Sequence, residues 1–208
     1  MSELLEVEYI RRRERLLRSR AALLVVDVQE RLAAVMPPEV VASLLRNTRI
    51  LIATAARLGL PIVVSEQYPR GLGPTVPELA SALAAAEGEG ADVYRFEKLE
   101  FSAAASAAFQ ALPPAEQIGA LMTREQWLVC GMETHICVYQ TVRDLVGPAT
   151  GVHVIADAVC SRTQGTWRTG LELARAVGAL VTCTETVVFD LLGQAGSDEF
   201  KELSRMIK

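Results

Sequence analysis

The chain has 208 residues, half of them apolar and 22% charged, which suits one domain with a single buried core and excludes global disorder. Its 21 basic residues against 25 acidic ones leave a net charge of −4, a balance that recruits no nucleic acid. Only two histidines occur, His135 and His153, and the four cysteines (Cys130, Cys137, Cys160, Cys183) contain no Cys-x-x-Cys pair, which together exclude a His-rich metal site, a zinc framework and a disulfide scaffold.

Residues 1–20 form a charged arm with Arg11, Arg12, Arg13, Arg15, Arg18 and Arg20 set among Glu3, Glu6, Glu8 and Glu14. The interleaved acids favour a solvated helix, docking through Leu4, Leu5, Ile10, Leu16 and Leu17, over a nucleic-acid arm. No stretch there has the apolar core of a signal peptide, and no run reaches the roughly 20 apolar residues of a membrane span. The expectation is a cytoplasmic protein with reduced thiols and no membrane partner.

From residue 21 onward, short β-branched runs alternate with helix-period segments. Strands are predicted at Ala21–Val28, Pro61–Ser65, Asp92–Phe96, Trp127–Cys130, Val152–Ala156 and Leu180–Thr182. Helices are predicted at Val40–Leu58, Ser102–Leu112 (continuing through Glu116–Leu121), His135–Leu145, Trp167–Val177 and Thr184–Leu191. Strands that are apolar throughout are covered on both faces. The pattern predicts an α/β protein: a three-layer α/β/α arrangement around a six-stranded, parallel, doubly wound, Rossmann-like sheet. Gly59 and Pro61 close the first long helix. Residues 66–78 read as one long irregular loop, and the Ala/Glu/Gly stretch 84–91 as a surface turn.

Ligands of open parallel sheets gather beyond the carboxyl ends of the strands. Three reactive side chains fall there. Asp27 ends the apolar run Leu-Leu-Val-Val-Asp, and reads either as a catalytic carboxylate or as a cap for the following turn. Lys98 follows the third strand and reads either as a charge-balancing ammonium or as a solvated strand-end lysine. Cys137 sits just inside the helix after the fourth strand. Thr134 is a candidate N-cap, which would place the Cys137 thiol at the positive end of the helix and lower its pKa, with Lys98 adding to the effect. Alternatively Cys137 is a core thiol, the reading that fits Cys130, Cys160 and Cys183. One lysine balances one negative charge, so Asp27 and Cys137 would share a proton.

Leu-Leu-Val-Val-Asp-Val-Gln, Lys98 before Phe-Ser, and Gly-Met-Glu-Thr-His-Ile-Cys-Val, in that order, resemble the isochorismatase-like cysteine hydrolase superfamily over about residues 21–192. Residues 65–79 and 200–208 resemble its isochorismatase domain-containing subgroup, which makes 21–208 the hydrolase domain. The resemblance implies an Asp–Lys–Cys triad on Asp27, Lys98 and Cys137, a cis Met132–Glu133 peptide, and an oxyanion hole from the Glu133 and Cys137 backbone N–H groups. It also implies a homo-oligomer, a dimer or larger. Relatives that hydrolyse nicotinamide carry an Asp/His metal site near the second-strand loop, whereas Ser65–Leu79 holds neither residue type, so no metal and no cofactor are expected.

The expected activity is metal-independent hydrolysis of a small-molecule amide-type C–N bond through a thioester. The alternatives are vinyl-ether hydrolysis of an isochorismate-like acid, which in the family uses the Asp and Lys without a cysteine, and a non-catalytic binding protein. Gln29, Gln67, Tyr68, Phe101 and His135 are candidates to line the substrate pocket. Tyr68 would otherwise cover the loop, and His135 would cap the helix.

Overall fold

The computed structural model describes residues 15–112 and 124–207. Most of the arm and the segment Glu116–Leu121 therefore lie outside the described residues. In chain order the elements are β1 (Ala21–Val26), α1 (Glu30–Ala33), α2 (Pro38–Leu58), β2 (Ile62–Gln67), α3 (Pro69–Leu72), α4 (Pro77–Gly88), β3 (Val93–Lys98) and α5 (Ala107–Gln110). They continue with β4 (Gln126–Met132), a π-turn (Thr134–Val138), α6 (Tyr139–Leu145), β5 (Gly151–Cys160), α7 (Gln164–Ala176), β6 (Leu180–Thr182), α8 (Thr184–Leu192) and α9 (Asp198–Ile207).

The six strands form one sheet in the order β3-β2-β1-β4-β5-β6, and every pairing is parallel. Every residue of β1 and of β4 is buried, which explains why β1 is apolar throughout and β4 is apolar after Gln126. Successive side chains of β1 feed opposite faces. Ala21, Leu23 and Val25 join a core shared with Leu44 and Leu51 of α2, Leu79 of α4, Val187 of α8 and Leu203 of α9. Ala22, Leu24 and Val26 join a second core with Val142 of α6, Leu171 of α7 and Phe109 of α5. Phe109 bridges Phe96 and Trp127, at ring-centroid distances of 5.9 and 5.4 Å. Helices on both faces of a six-stranded parallel sheet are the architecture expected.

Several boundaries differ from expectation, each for a local reason. Residues 66–78 are not one irregular loop, because α3 forms there. α4 replaces the expected turn at 84–91, with Pro77 as its first residue and Leu79, Leu83 and Ala86 buried along one side. The helix expected at Ser102–Leu112 shrinks to α5, whose start is fixed by Ser106 Oγ accepting from the Phe109 N–H at 3.1 Å. Gly59 does end α2, in the left-handed region at φ 69°. At the beginning of the described chain Leu16 is buried, its N–H donating to Asp190 Oδ2 at 2.8 Å, while Leu17 is exposed.

Along the chain, strands are added in one direction from β1 to β3 and in the other from β4 to β6. The reversal opens a crevice at the carboxyl ends of β1 and β4. The two strands abut closely there. A Cβ on Gly131, which has φ 122°, would fall 2.0 Å from the Val26 carbonyl oxygen, so only glycine fits.

Candidate active site

Asp27 is the residue after β1, with φ 50°, a left-handed conformation that aspartate tolerates better than most residues. Its side chain is fully buried, yet it does not serve as a turn cap. Oδ2 accepts from Lys98 Nζ at 2.7 Å, and Oδ1 accepts from Ser65 Oγ at 2.7 Å. Both side chains of the Lys98–Asp27 ion pair have 0% exposure. Lys98 is therefore not a solvated strand-end residue. Although β2 lies between their strands, the ammonium reaches the carboxylate while also donating to Gln67 Oε1 at 2.7 Å. The carbonyls of Glu100 and Phe101, at 3.1 and 3.2 Å, complete its acceptors. An ammonium has three N–H bonds, so Lys98 is saturated within the protein.

Cys137 lies in the π-turn after β4, 6% exposed and packed into the second core. Thiol and carboxylate act on each other: Asp27 lowers the acidity of the thiol, and the thiol pulls the Asp27 pKa down. The peptide between Met132 and Glu133 is cis. Glu133, not Thr134, occupies the N-cap position, and the buried Thr134 hydroxyl shows no hydrogen-bond partner. The Glu133 carbonyl accepts from Ile136 at 3.0 Å and from Val138 at 3.2 Å. A helix from behind locks this turn: a Cβ on Gly170 of α7 would sit 2.6 Å from the Thr134 carbonyl carbon and 2.7 Å from the His135 nitrogen.

The expected depressed thiol does not form. Burial first, then the negative charge of Asp27, push Cys137 up to about 12, and the opposing pull of Lys98 is smaller. The resting thiol is thus neutral. Burial also raises Asp27 above its ordinary 3.8, against the pull of Lys98, Ser65 and Cys137. Cys130 and Cys160 are buried and likewise pushed up to about 12, whereas Cys183, expected in the core, is only half-buried because it precedes α8 at the surface.

Two of the candidate pocket residues have a different job. Gln29 is fully buried: its Oε1 accepts from the Gln67 N–H at 2.8 Å, while its Nε2 donates to the carbonyls of Gln67 at 3.0 Å and Gly73 at 2.7 Å. Gln67 donates Nε2 to Leu99 O at 2.8 Å, which orients its oxygen toward Lys98. Both amides are used up in holding the site together. His135 is half-buried, its Nδ1 within 3.0 Å of Ser161 Oγ. Tyr68 and Phe101 are exposed, and Tyr68 lines a depression of about 500 Å³ that reaches Lys98 along with Arg70, Leu99 and Glu100. Sequence reasoning missed Ser65, the partner of Asp27, and Arg162, the partner of Glu133. The only available signal was a polar residue at the end of an apolar strand, which Ser65 shares with Asp27.

A parallel sheet with an acid, an ammonium and a thiol gathered at its switch point defines a class: three-layer α/β proteins with a cysteine-bearing crevice. Residues 21–186 match the isochorismatase domain, and the chain belongs to that family of hydrolases. It is 36% identical over 198 residues to the secreted isochorismatase effector Isc1 of Phytophthora sojae, covering 93% of this chain and 87% of that protein. Isochorismatase domain-containing protein 2 of Xenopus laevis is 34% identical over 191 residues, covering 90% of this chain and 83% of that protein. The structure of MAR1 ribonuclease from Caenorhabditis elegans superposes with a TM-score of 0.78 at 32% identity, over 93% of this chain and 92% of that one. Among the described residues, no helix is long and apolar enough to cross a membrane.

Proposed function

We propose that the protein is a cysteine hydrolase of a small, neutral, amide-type C–N bond, with Asp27, Lys98 and Cys137 as its triad. The observation that carries this reading is the fully buried 2.7 Å Lys98–Asp27 pair, whose charges act on the buried Cys137 thiol. A buried ion pair is poor stabilising material, since desolvation consumes most of its attraction. Beside a thiol it is a proton acceptor under control.

In the proposed cycle Asp27 takes the Cys137 proton as sulfur adds to the substrate carbonyl. Lys98 stays bound to Asp27 and keeps it ionised until that moment. The tetrahedral oxyanion is held by the N–H groups of Glu133 and Cys137. The C–N bond then breaks, and the amine leaves with the proton from Asp27. Water attacks the thioester, gives a proton to Asp27 and expels the sulfur, which is reprotonated. The sum is amide plus water to acid plus amine. A raised Asp27 is a stronger base than a free carboxylate, and this offsets part of the cost of ionising a thiol near 12.

Site charge supports a neutral substrate, because Asp27 pairs with Lys98 and Glu133 pairs with Arg162. The near-complete burial of the cluster supports a small one. The local residues support metal independence, since among the described residues no three His, Cys, Asp or Glu side chains could together hold a metal ion. We also propose a homo-oligomer working in a reducing, cytoplasmic compartment, with all four cysteines free.

The test is a panel of small amides, ureas and carbamoyl compounds. Hydrolysis is expected to disappear in Cys137→Ala and to survive prolonged chelation. Because Asp27 is raised, it could also donate a proton to a vinyl ether, the second reading. Isochorismate turnover that survives Cys137→Ala and vanishes in Asp27→Ala would decide for that reading.

A further inference from the structure

The turn that carries Cys137 is hung on a residue with a charge of its own. Glu133 is buried, its side chain 8% exposed, and its backbone carbonyl accepts the N–H groups of Ile136 and Val138 within the turn. Its Oε2 accepts from Arg162 twice, from Nε at 3.1 Å and from the backbone N–H at 3.3 Å. Arg162 follows β5 and is 56% exposed, so this pair sits between the buried cluster and solvent. No step assigned to Asp27, Lys98 or Cys137 uses it.

A carboxylate in this position works against the chemistry beside it. Both the thiolate and the tetrahedral oxyanion are negative, and Glu133 contributes to pushing the thiols of Cys137 and Cys160 up. The other charges acting on Cys137 are Asp27, from the end of β1, and Lys98, from β3. His135, on the same turn, is directed to Ser161, and α7 meets the turn through Gly170, which has no charge. Lys98 is already saturated by Asp27, Gln67 and two carbonyls. A second cation is needed if Glu133 is to be tolerated.

Building on the reading of Cys137 as the nucleophile, we propose that Arg162 is a positioning residue for the reaction: it neutralises and anchors Glu133, so that the nucleophile turn presents its N–H groups without a bare carboxylate beside them. A carboxylate is retained because a single oxygen can accept both N–H groups of Arg162 and tie the start of the turn to the end of β5. The guanidinium suits the task because its planar fork presents Nε–H to the carboxylate in a fixed geometry.

The experiment measures the rate at which iodoacetamide alkylates Cys137, with modification mapped by mass spectrometry to separate it from the half-buried Cys183. In this step the sulfur–carbon bond forms, iodide leaves, and the thiol proton passes to Asp27 and then to buffer. Arg162→Gln is expected to slow the reaction about fivefold, less than the tenfold of one full pKa unit because the cation is partly screened. Arg162→Gln with Glu133→Gln should recover to within about twofold of the parent, since the uncompensated charge is gone. Glu133→Gln alone should react no more slowly than the parent, a comparison that stands even if Arg162→Gln fails to fold. An unchanged rate in Arg162→Gln, a double variant as slow as the single, or a slower Glu133→Gln would each overturn the proposal while leaving Cys137 the nucleophile. A Cys137 inert in every version would overturn the nucleophile reading and this one with it.

Discussion

The ion pairs Lys98–Asp27 and Arg57–Glu202 have nearly the same length, 2.7 and 2.9 Å, and occupy opposite environments. The first has no exposed side-chain surface; the second is 39% and 59% exposed. In the interior, burial is the largest influence on Asp27 and raises its pKa despite the ammonium 2.7 Å away. At the surface, the hydrogen bond to Glu202 is the largest influence on Arg57, and its only effect is to strengthen a base that is always charged. Distance alone therefore does not say what an ion pair is for. The buried pair holds a reactive charge in place at a cost in stability, whereas the surface pair is optional.

The comparison can be broken most decisively at the thiol that the buried pair serves. Cys137→Ala is expected to lower turnover about 10,000-fold with the fold retained, as read by kcat and by an unchanged melting curve. Lys98→Met leaves the Asp27 carboxylate buried without its partner, and should cost about 3–5 kcal/mol in urea unfolding as well as activity. Adding Asp27→Asn to Lys98→Met removes the orphaned charge and should restore most of that stability while leaving the enzyme inactive. A double variant as unstable as the single would show that the pair is structural after all.

The sequence made the charged part of the site legible and the polar part illegible. Asp27, Lys98 and Cys137 each stand where an apolar run or a strand ends, and such interruptions are visible without coordinates. Gln29 and Gln67 stand at similar ends, but an amide can face a substrate or a backbone carbonyl, and only the fold reveals that Gln29 faces the backbone of Gln67 and Gly73 while Gln67 faces Leu99 and Lys98. The thiol was misjudged for a related reason. A helix start and a neighbouring lysine can be read from spacing, whereas desolvation is a property of the assembled core, and it outweighed both at Cys137. α4 was hidden by its Ala/Gly/Glu composition, although Pro77 at its first position marked its start.

Smaller effects sharpen the same contrast. Because burial holds Asp27 above 3.8, the acid limb of kcat/KM should lie above that value: as pH falls through the raised pKa, Asp27 is protonated and can no longer receive the thiol proton. The linked stability runs the other way. The raised carboxyl binds its proton more tightly in the folded state, so its contribution is present at low pH and is lost as pH rises through the folded value. Activity should therefore increase over a range where this group's contribution to stability declines; an acid limb centred at an ordinary aspartate value would mean Asp27 is not the base. Gly170→Ala should cost about 1–3 kcal/mol and lower kcat more than it raises KM, because the new methyl meets the Thr134–His135 peptide and not the substrate.

The smallest expected effect belongs to the surface pair. Arg57, in the last turn of α2, reaches Glu202 of α9, and the two helices also share apolar contacts through Leu203, which is fully buried. Water can solvate both charges when the bridge opens, and holding two long side chains in one geometry costs entropy that offsets the attraction. Arg57→Ala is thus expected to leave the thermal midpoint and kcat/KM unchanged within error, at both low and high salt. Leu203→Ala, a few ångströms of chain away, removes apolar contacts that water cannot replace and should cost about 2–5 kcal/mol. If Arg57→Ala proved as damaging as Leu203→Ala, α9 would be held by charge and not by its apolar side, and the contrast between exposed and buried pairs would fail at its simpler end.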